Sequence, residues 1–142
     1  PASSSKRTPT PQRPRIFISY SSKNRAAAKK LALCLRKHGM DPWWDYELLG
    51  GQDFRSHIEA QLRAATAVVV IWSPTAATSR FVIEEADMAL DEGKLVTTHV
   101  YGFDVKLIPF GFRQLQSIPV GQRQRLVRSL ERFECGQLKA AA

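Results

Sequence analysis

The chain has 142 residues, of which 44% are hydrophobic and 24% are charged, as expected for one soluble globular domain. No apolar run approaches the roughly 18 residues that a membrane span needs, and no signal-peptide pattern is present. The two cysteines, Cys34 and Cys135, match no metal or redox spacing. The sequence therefore favours a cytoplasmic domain, and it excludes a disulfide scaffold and an α-helical membrane span.

The positive charge is concentrated towards the N-terminus. The 21 Lys and Arg residues exceed the 13 Asp and Glu residues, and ten of the basic residues precede the first acidic one, Asp41. A second basic group lies near the C-terminus, at Arg123, Arg125, Arg128 and Arg132. Such surfaces suit a polyanion, an anionic membrane, a small anionic ligand or the acidic face of another copy. No nucleic-acid-binding motif accompanies them, so a solvated basic face is the simplest interpretation, and we expect no specific nucleic-acid partner.

Composition divides the chain into three parts. Residues 1–14 are rich in Ser, Pro and Arg, which is typical of a flexible linker. Residues 15–134 carry the patterns of a folded domain, and residues 135–142 are predicted to be a C-terminal tail. Because the first residue is Pro1, we expect the chain to be part of a longer protein.

Strand and helix patterns alternate along the folded part. The predicted strands are short β-rich or apolar runs at 15–20, 40–45, 67–72 and 95–100. The predicted helices have apolar residues at helical spacing, over 23–38, after Asp53, over 79–92 and over 122–133. Residues 105–118 have no clear pattern. Alternation of this kind predicts right-handed crossovers and a parallel sheet covered on both faces.

Ligands of such sheets bind beyond the carboxyl ends of the strands. In this chain those ends carry the segments 20–22 (YSS), 44–46 (WDY) and 72–74 (WSP). Tyr20, Trp44 and Trp72 could each stack on a flat ring, although for Trp72 packing in the core is an equal alternative. Glycine-rich dinucleotide loops, Walker A loops and nucleophile elbows are absent from the sequence. The three histidines are isolated, so no metal site is predicted.

One carboxylate, that of Glu85, is in an unusual place. On a helix over 79–92, one apolar arc is formed by Val82, Ile83, Ala86, Ala89 and Leu90. Glu84, Asp87 and Asp91 lie on the opposite side, but Glu85 falls at the edge of the arc. Burying a carboxylate costs free energy unless something compensates. Glu85 is therefore a functional-site candidate, and the alternative is a boundary residue that reaches water or caps a neighbour.

Several segments, in this order, resemble the Toll/interleukin-1 receptor (TIR) domain family. Residues 15–22 (RIFISYSS) are similar to its first strand, and residues 43–45 (WWD) followed by 46–53 (YELLGGQD) to its second strand and BB loop. Further similar segments are 67–74 (AVVVIWSP), 79–85 (SRFVIEE) and, as in bacterial-type members, 109–113 (PFGFR). The resemblance spans about 15–133. It implies a flavodoxin-like three-layer α/β fold with a central parallel five-stranded sheet.

The resemblance also implies a site. Some TIR domains cleave NAD+ at the nicotinamide–ribose bond, and their catalytic Glu lies four residues after an aromatic residue. Phe81 and Glu85 have that spacing, so Glu85 is the implied catalytic residue. The residues implied to bind substrate are Tyr20, Ser21, Ser22, Trp44, Phe81 and Arg15, the last through phosphate. NAD+ is then a substrate, and neither a cofactor nor a metal is implied.

Two functions follow from the resemblance. The first is cleavage of NAD+ to nicotinamide and ADP-ribose or a cyclic isomer, in a domain that self-associates through TIR–TIR contacts. The alternative is a non-enzymatic module that binds host TIR adaptors or receptors and modulates innate immune signalling, with a cytoplasmic location reached by delivery into a host cell if the protein is an effector. Its binding surface is the BB loop, formed by Tyr46, Glu47, Leu48, Leu49, Gly50, Gly51 and Gln52. The two functions are compatible, because assembly can complete an active site.

Overall fold

The computed structural model describes residues 13–44 and 54–141, with side chains over 13–44 and 56–133. Nearly all of the linker predicted over residues 1–14 lies outside the described residues. So does the BB loop predicted over residues 46–52. No helix in the described part of the chain is long and apolar enough to cross a membrane.

The core of the molecule is a sheet of five parallel strands in the order β2-β1-β3-β4-β5. The strands are β1 (Arg15–Ser19), β2 (Asp41–Trp43), β3 (Ala67–Trp72), β4 (Leu95–His99) and β5 (Ser117–Pro119). This is the strand order of flavodoxin-like folds, which confirms the predicted fold class. The direction of winding reverses between β1 and β3. The carboxyl ends of these two strands therefore flank the crevice where ligands of such sheets bind.

Helices cover both faces of the sheet. They are α1 (Arg25–Lys37), α2 (Phe54–Ala64), α3 (Arg80–Asp91) and α4 (Arg123–Ala141). α1 packs beside α4, and α2 packs beside α3. Right-handed connections place α1 on one face and α2 and α3 on the other, because the step from β1 to β2 runs across the sheet in the opposite direction to the steps from β2 to β3 and from β3 to β4. α4 follows the last strand and packs on the face of α1. Every residue of β3 is buried, as expected for a central strand covered on both sides.

Several element boundaries differ from the predicted ones. A 3-10 turn, Ser22–Asn24, precedes α1, and the Ser21 hydroxyl accepts a hydrogen bond from the Lys23 amide at its start. β5 lies in the region without a clear pattern, because a three-residue strand is too short to show alternation. α4 continues to Ala141 through the residues predicted to be a tail. The alanines there are strong helix formers, and no proline follows residue 133.

Lys94 links α2 to the turn that follows α3. Its buried ammonium donates hydrogen bonds to the carbonyl oxygens of Leu62, Arg63 and Ala65 at 2.8, 3.1 and 2.8 Å, and lies 3.0 Å from a Glu92 carboxylate oxygen. The last carbonyl groups of a helix have no partner within the helix, and a cation is favourable beside them. Lys94 therefore caps the C-terminal end of α2 from inside the fold.

Candidate functional site

The orientation of α3 carries Glu85 into the interior. The Ser79 hydroxyl caps the helix by accepting a hydrogen bond from the Val82 amide at 3.3 Å. The buried residues of the helix are Val82, Glu85, Ala86 and Ala89. Glu85 is only 4% exposed, so it belongs to the packed face and not merely to the edge of the apolar arc. Its side chain does not reach outwards to bulk water.

Ser19 provides a hydrogen bond to the buried carboxylate of Glu85. The Ser19 hydroxyl donates to Glu85 Oε1 at 2.5 Å, and Ser19 itself is fully buried as the last residue of β1. This hydrogen bond compensates in part for the removal of the Glu85 carboxyl group from water. The bond holds the Glu85 carboxylate at the carboxyl end of β1, beside the crevice.

An aromatic and cationic cluster occupies the ends of β1 and β2. The ring of Tyr20 lies 6.4 Å from the ring of Trp44, and the Arg25 guanidinium carbon lies 4.9 Å from the Trp44 ring centroid, in cation–π geometry. Ser21 is half-buried and Ser22 is exposed beside them. The structure thus brings together the residues predicted at the ends of these two strands, and it adds a positive charge.

The loop after β3 closes the other side of the crevice. The Ser73 hydroxyl donates to Asn24 Oδ1 at 2.6 Å and accepts from the Ala76 amide at 3.1 Å, which ties the loop after β1 to the loop after β3. Trp72 is fully buried and its ring lies 5.5 Å from that of Phe112. Of the two alternatives for Trp72, packing in the core is the correct one, because β3 is covered on both faces.

Phe81 and Glu85, one turn apart on α3, both line a small cavity of about 120 Å³ between α2 and α3. Its wall consists of Ile58, Glu59, Leu62, Phe81, Glu84, Glu85 and Met88. Pockets that enclose whole cofactors or drug-sized ligands measure roughly 300–1,000 Å³. This cavity therefore fits one small group and not a complete dinucleotide.

Arg15 lies away from the other candidate residues. It is the first residue of β1, whereas Ser19 and Tyr20 lie at the other end of that strand. Four residues of strand separate the two ends by roughly 13 Å. The structure therefore does not bring the Arg15 backbone to the edge of the sheet where Glu85 and Trp44 lie. The BB-loop candidates are outside the described residues.

Three residues of the site were not among the predicted candidates: Ser19, Arg25 and Ser73. Ser19 had a signal in the sequence, since it places a hydroxyl in an otherwise apolar strand. Ser73 lies in the predicted strand-end segment 72–74, but its partner Asn24 depends on how two loops meet. Arg25 had no comparable signal. Within the described ranges, no group of three or more His, Cys, Asp and Glu residues is arranged to hold a metal ion.

The fold and the site define a flavodoxin-like α/β domain with a buried carboxylate beside its ligand crevice. A family model described as the TIR domain matches residues 16–132. The chain therefore belongs to the TIR domain family, as the sequence motifs predicted. No curated protein sequence matches the chain significantly.

Three solved structures share this fold. A metazoan TIR-STING receptor from C. gigas, in complex with 2′,3′-cGAMP, superposes with a TM-score of 0.70 and 18% identity, over 81% of this chain and 38% of that one. The TIR domain of the Toll-related receptor TRR-2 from Hydra magnipapillata superposes with a TM-score of 0.70 and 13% identity, over 82% of this chain and 97% of that one. The TIR domains of the activated Roq1 resistosome, which recognises the pathogen effector XopQ, superpose with a TM-score of 0.56 and 20% identity, over 84% of this chain and 80% of that one.

These similarities establish the fold. Because all three sequence identities are low, they establish nothing about function. The chain spans well under half of the TIR-STING receptor, but most of the TRR-2 domain.

Proposed function

We propose that this TIR domain cleaves NAD+ at the nicotinamide–ribose bond and that Glu85 is its catalytic carboxylate. The observation that carries the proposal is the burial of Glu85 on a hydrogen bond from Ser19 at the end of β1. Flavodoxin-like sheets bind their ligands at this edge. A carboxylate kept in the interior costs free energy, so a buried acidic group at this edge is a functional-site candidate.

The chemistry of the reaction suits a single carboxylate. Nicotinamide leaves as a neutral pyridine, so the departing group needs no proton. Positive charge develops on the ribose as the bond breaks, as it does in glycoside hydrolysis. A fixed negative charge in a water-poor site stabilises this oxocarbenium-like state more strongly than it would in water. Water then gives ADP-ribose, or an internal nucleophile gives a cyclic isomer.

The remaining site residues have roles that follow from their positions. The Arg25 guanidinium supplies positive charge for the pyrophosphate, beside the rings of Tyr20 and Trp44. The hydroxyl groups of Ser21 and Ser22 lie in the same loop and offer hydrogen bonds to phosphate or ribose.

Self-association belongs to the same proposal. The Roq1 TIR domains are parts of an activated resistosome, and this assembly is the precedent on which we extend self-association to this chain.

The test of cleavage is nicotinamide release. The protein is incubated with NAD+ at high concentration, and nicotinamide is quantified for the wild type, Glu85→Gln and Glu131→Gln. Glutamine has nearly the same volume as glutamate and keeps an acceptor for Ser19, so Glu85→Gln removes the charge with little change in packing. Glu131 is exposed on α4, and its variant is a matched control for the same substitution. We expect Glu85→Gln to lose roughly 100-fold or more of the rate, and Glu131→Gln to keep it.

Two results would contradict the proposal. Equal release by the wild type and Glu85→Gln would remove Glu85 from the chemistry. If the wild type releases no nicotinamide at concentrations where it self-associates, the alternative function is favoured, a non-enzymatic module that binds host TIR adaptors through residues 46–52.

A further inference from the structure

Two helices expose charged stripes with the same spacing. On α4 the exposed residues Arg125, Arg128 and Arg132 follow the pattern i, i+3, i+7, and we call them the basic stripe. On α3 the exposed residues Glu84, Asp87 and Asp91 follow the same pattern, and we call them the acidic stripe. At about 100° per residue, each stripe keeps to an arc of roughly 60° on its helix.

The two stripes lie on opposite faces of the sheet. α3 packs beside α2 on one face, and α4 packs beside α1 on the other. The stripes therefore cannot meet within one chain, but the stripe of one copy can meet the opposite stripe of another. Each stripe covers eight residues of helix, a rise of about 10 Å, so the charges of two parallel stripes come into register along the whole length.

We propose that copies of this chain associate head to tail, with the basic stripe of one copy against the acidic stripe of the next. This specifies the self-association included in the proposed function, and it does not depend on whether NAD+ is cleaved. The two surfaces differ, so the contact is heterologous and adds copies in an open series unless the rotation closes a ring.

The neighbours of the stripes favour one register. Arg80 begins α3 next to the acidic stripe, and Glu131 adjoins the basic stripe. If one stripe shifts along the other, Arg80 meets an arginine of the basic stripe, or Glu131 meets a carboxylate of the acidic stripe. Such like-charge contacts cost free energy, so one register is favoured.

Association of this kind leaves the catalytic crevice open. The centre of the acidic stripe lies more than 100° around α3 from Glu85, which points into the core. The docked helix of a neighbouring copy therefore covers the outer side of α3 and not the carboxyl ends of β1 and β3. Assembly and cleavage can then be measured separately.

Salt distinguishes this contact from association driven by apolar surface. The chain carries a net charge of +8, so copies repel each other overall, and screening by salt would strengthen apolar association. Opposite stripes at close range attract, so screening weakens their contact. We expect sedimentation velocity to show concentration-dependent assembly at about 50 mM salt and a loss of it near 500 mM.

Charge reversal tests each stripe. Asp87→Lys alters the acidic stripe and Arg128→Glu the basic stripe, while Lys37→Glu makes a reversal on α1 as a matched control. All three side chains are exposed, so the variants should fold. We expect each stripe variant to weaken association roughly tenfold or more, and Lys37→Glu to leave it nearly unchanged.

An equimolar mixture of Asp87→Lys and Arg128→Glu gives the sharpest result. The intact basic stripe of the first variant can dock on the intact acidic stripe of the second, but no further copy can add well. The expected product is a complex of two copies that neither variant forms alone.

The proposal is overturned if the stripe variants associate like the wild type, or if salt strengthens association. It is also overturned if the wild type stays monomeric while a short double-stranded DNA probe binds it, because the basic face would then serve a polyanion. Nicotinamide release from the same samples separates the two proposals. If NAD+ is cleaved without assembly, only the proposed contact between stripes is contradicted. If copies assemble without cleavage, only the proposed enzymatic activity is contradicted.

Discussion

Ser19 and Glu85 are 66 residues apart in the sequence, and their side chains are joined by a hydrogen bond of 2.5 Å. Ser19 ends β1, and Glu85 lies in the middle of α3. The Ser19 hydroxyl fixes one oxygen of the carboxylate that we propose as catalytic. Ser19 is therefore a positioning residue, and its removal should affect turnover more than binding.

Ser19→Ala should lower kcat about tenfold and leave KM nearly unchanged. A hydrogen bond to a charged group contributes about 1.5–3 kcal/mol, and a tenfold change corresponds to about 1.4 kcal/mol. Michaelis curves for nicotinamide release give both constants. Thr97→Val is the matched control, because it also removes a buried hydroxyl from a strand, one that donates to the Gln116 carbonyl. Equal losses in both variants would point to general destabilisation and not to positioning.

Arg25→Met should raise KM for NAD+ about tenfold. Methionine keeps an apolar stem over the Trp44 ring but removes the charge that we assign to the pyrophosphate. Arg36→Met, on the exposed side of the same helix, is the control for the loss of one positive charge. An unchanged KM in Arg25→Met would show that the cation–π pair is structural only.

Lys94→Met should lower the free energy of unfolding by about 2–3 kcal/mol, because the carbonyl groups at the end of α2 lose their buried donor. Urea denaturation at neutral pH measures the change. Lys106→Met removes an exposed ammonium and should stay within about 0.5 kcal/mol of the wild type. A similar small effect in Lys94→Met would mean that water replaces the ammonium without cost.

Acidification should destabilise the domain through His99. Desolvation by burial lowers the pKa of His99 below its ordinary value of 6.5, and its Nδ1 lies 2.7 Å from the Ser117 hydroxyl oxygen. The unfolded chain then takes up the proton more readily than the folded one, so this contribution is complete above the unfolded pKa and is lost as pH falls through the folded pKa.

Urea midpoints measured between neutral pH and about pH 5 check this prediction. His99→Gln should reduce the slope of stability against pH in that window. A slope that is the same in wild type and His99→Gln would assign the acid sensitivity to other groups.

Local patterns in the sequence are enough to predict the alternation of strands and helices, and therefore the parallel sheet. Such patterns are local, because each depends on residues that are neighbours along the chain. They include the apolar run of β3, the helical spacing of apolar residues in α1 and the extent of α3. Gly39 is one example. It follows the end of α1, and its φ of +81° is a backbone conformation that glycine adopts readily. The TIR family assignment also came from local motifs in their order.

The tertiary structure alone decided the composition of the site. The helical pattern placed Glu85 at the edge of an apolar arc, but its depth depends on how closely α3 packs against β1. Arg15 and Tyr20 belong to the same sequence motif, yet Arg15 begins β1 and Tyr20 follows its last residue, at the opposite end. Arg25 reaches Trp44 only because β2 lies beside β1. These relationships join residues far apart in sequence, so they arise from the packing of elements and not from the propensities of neighbours.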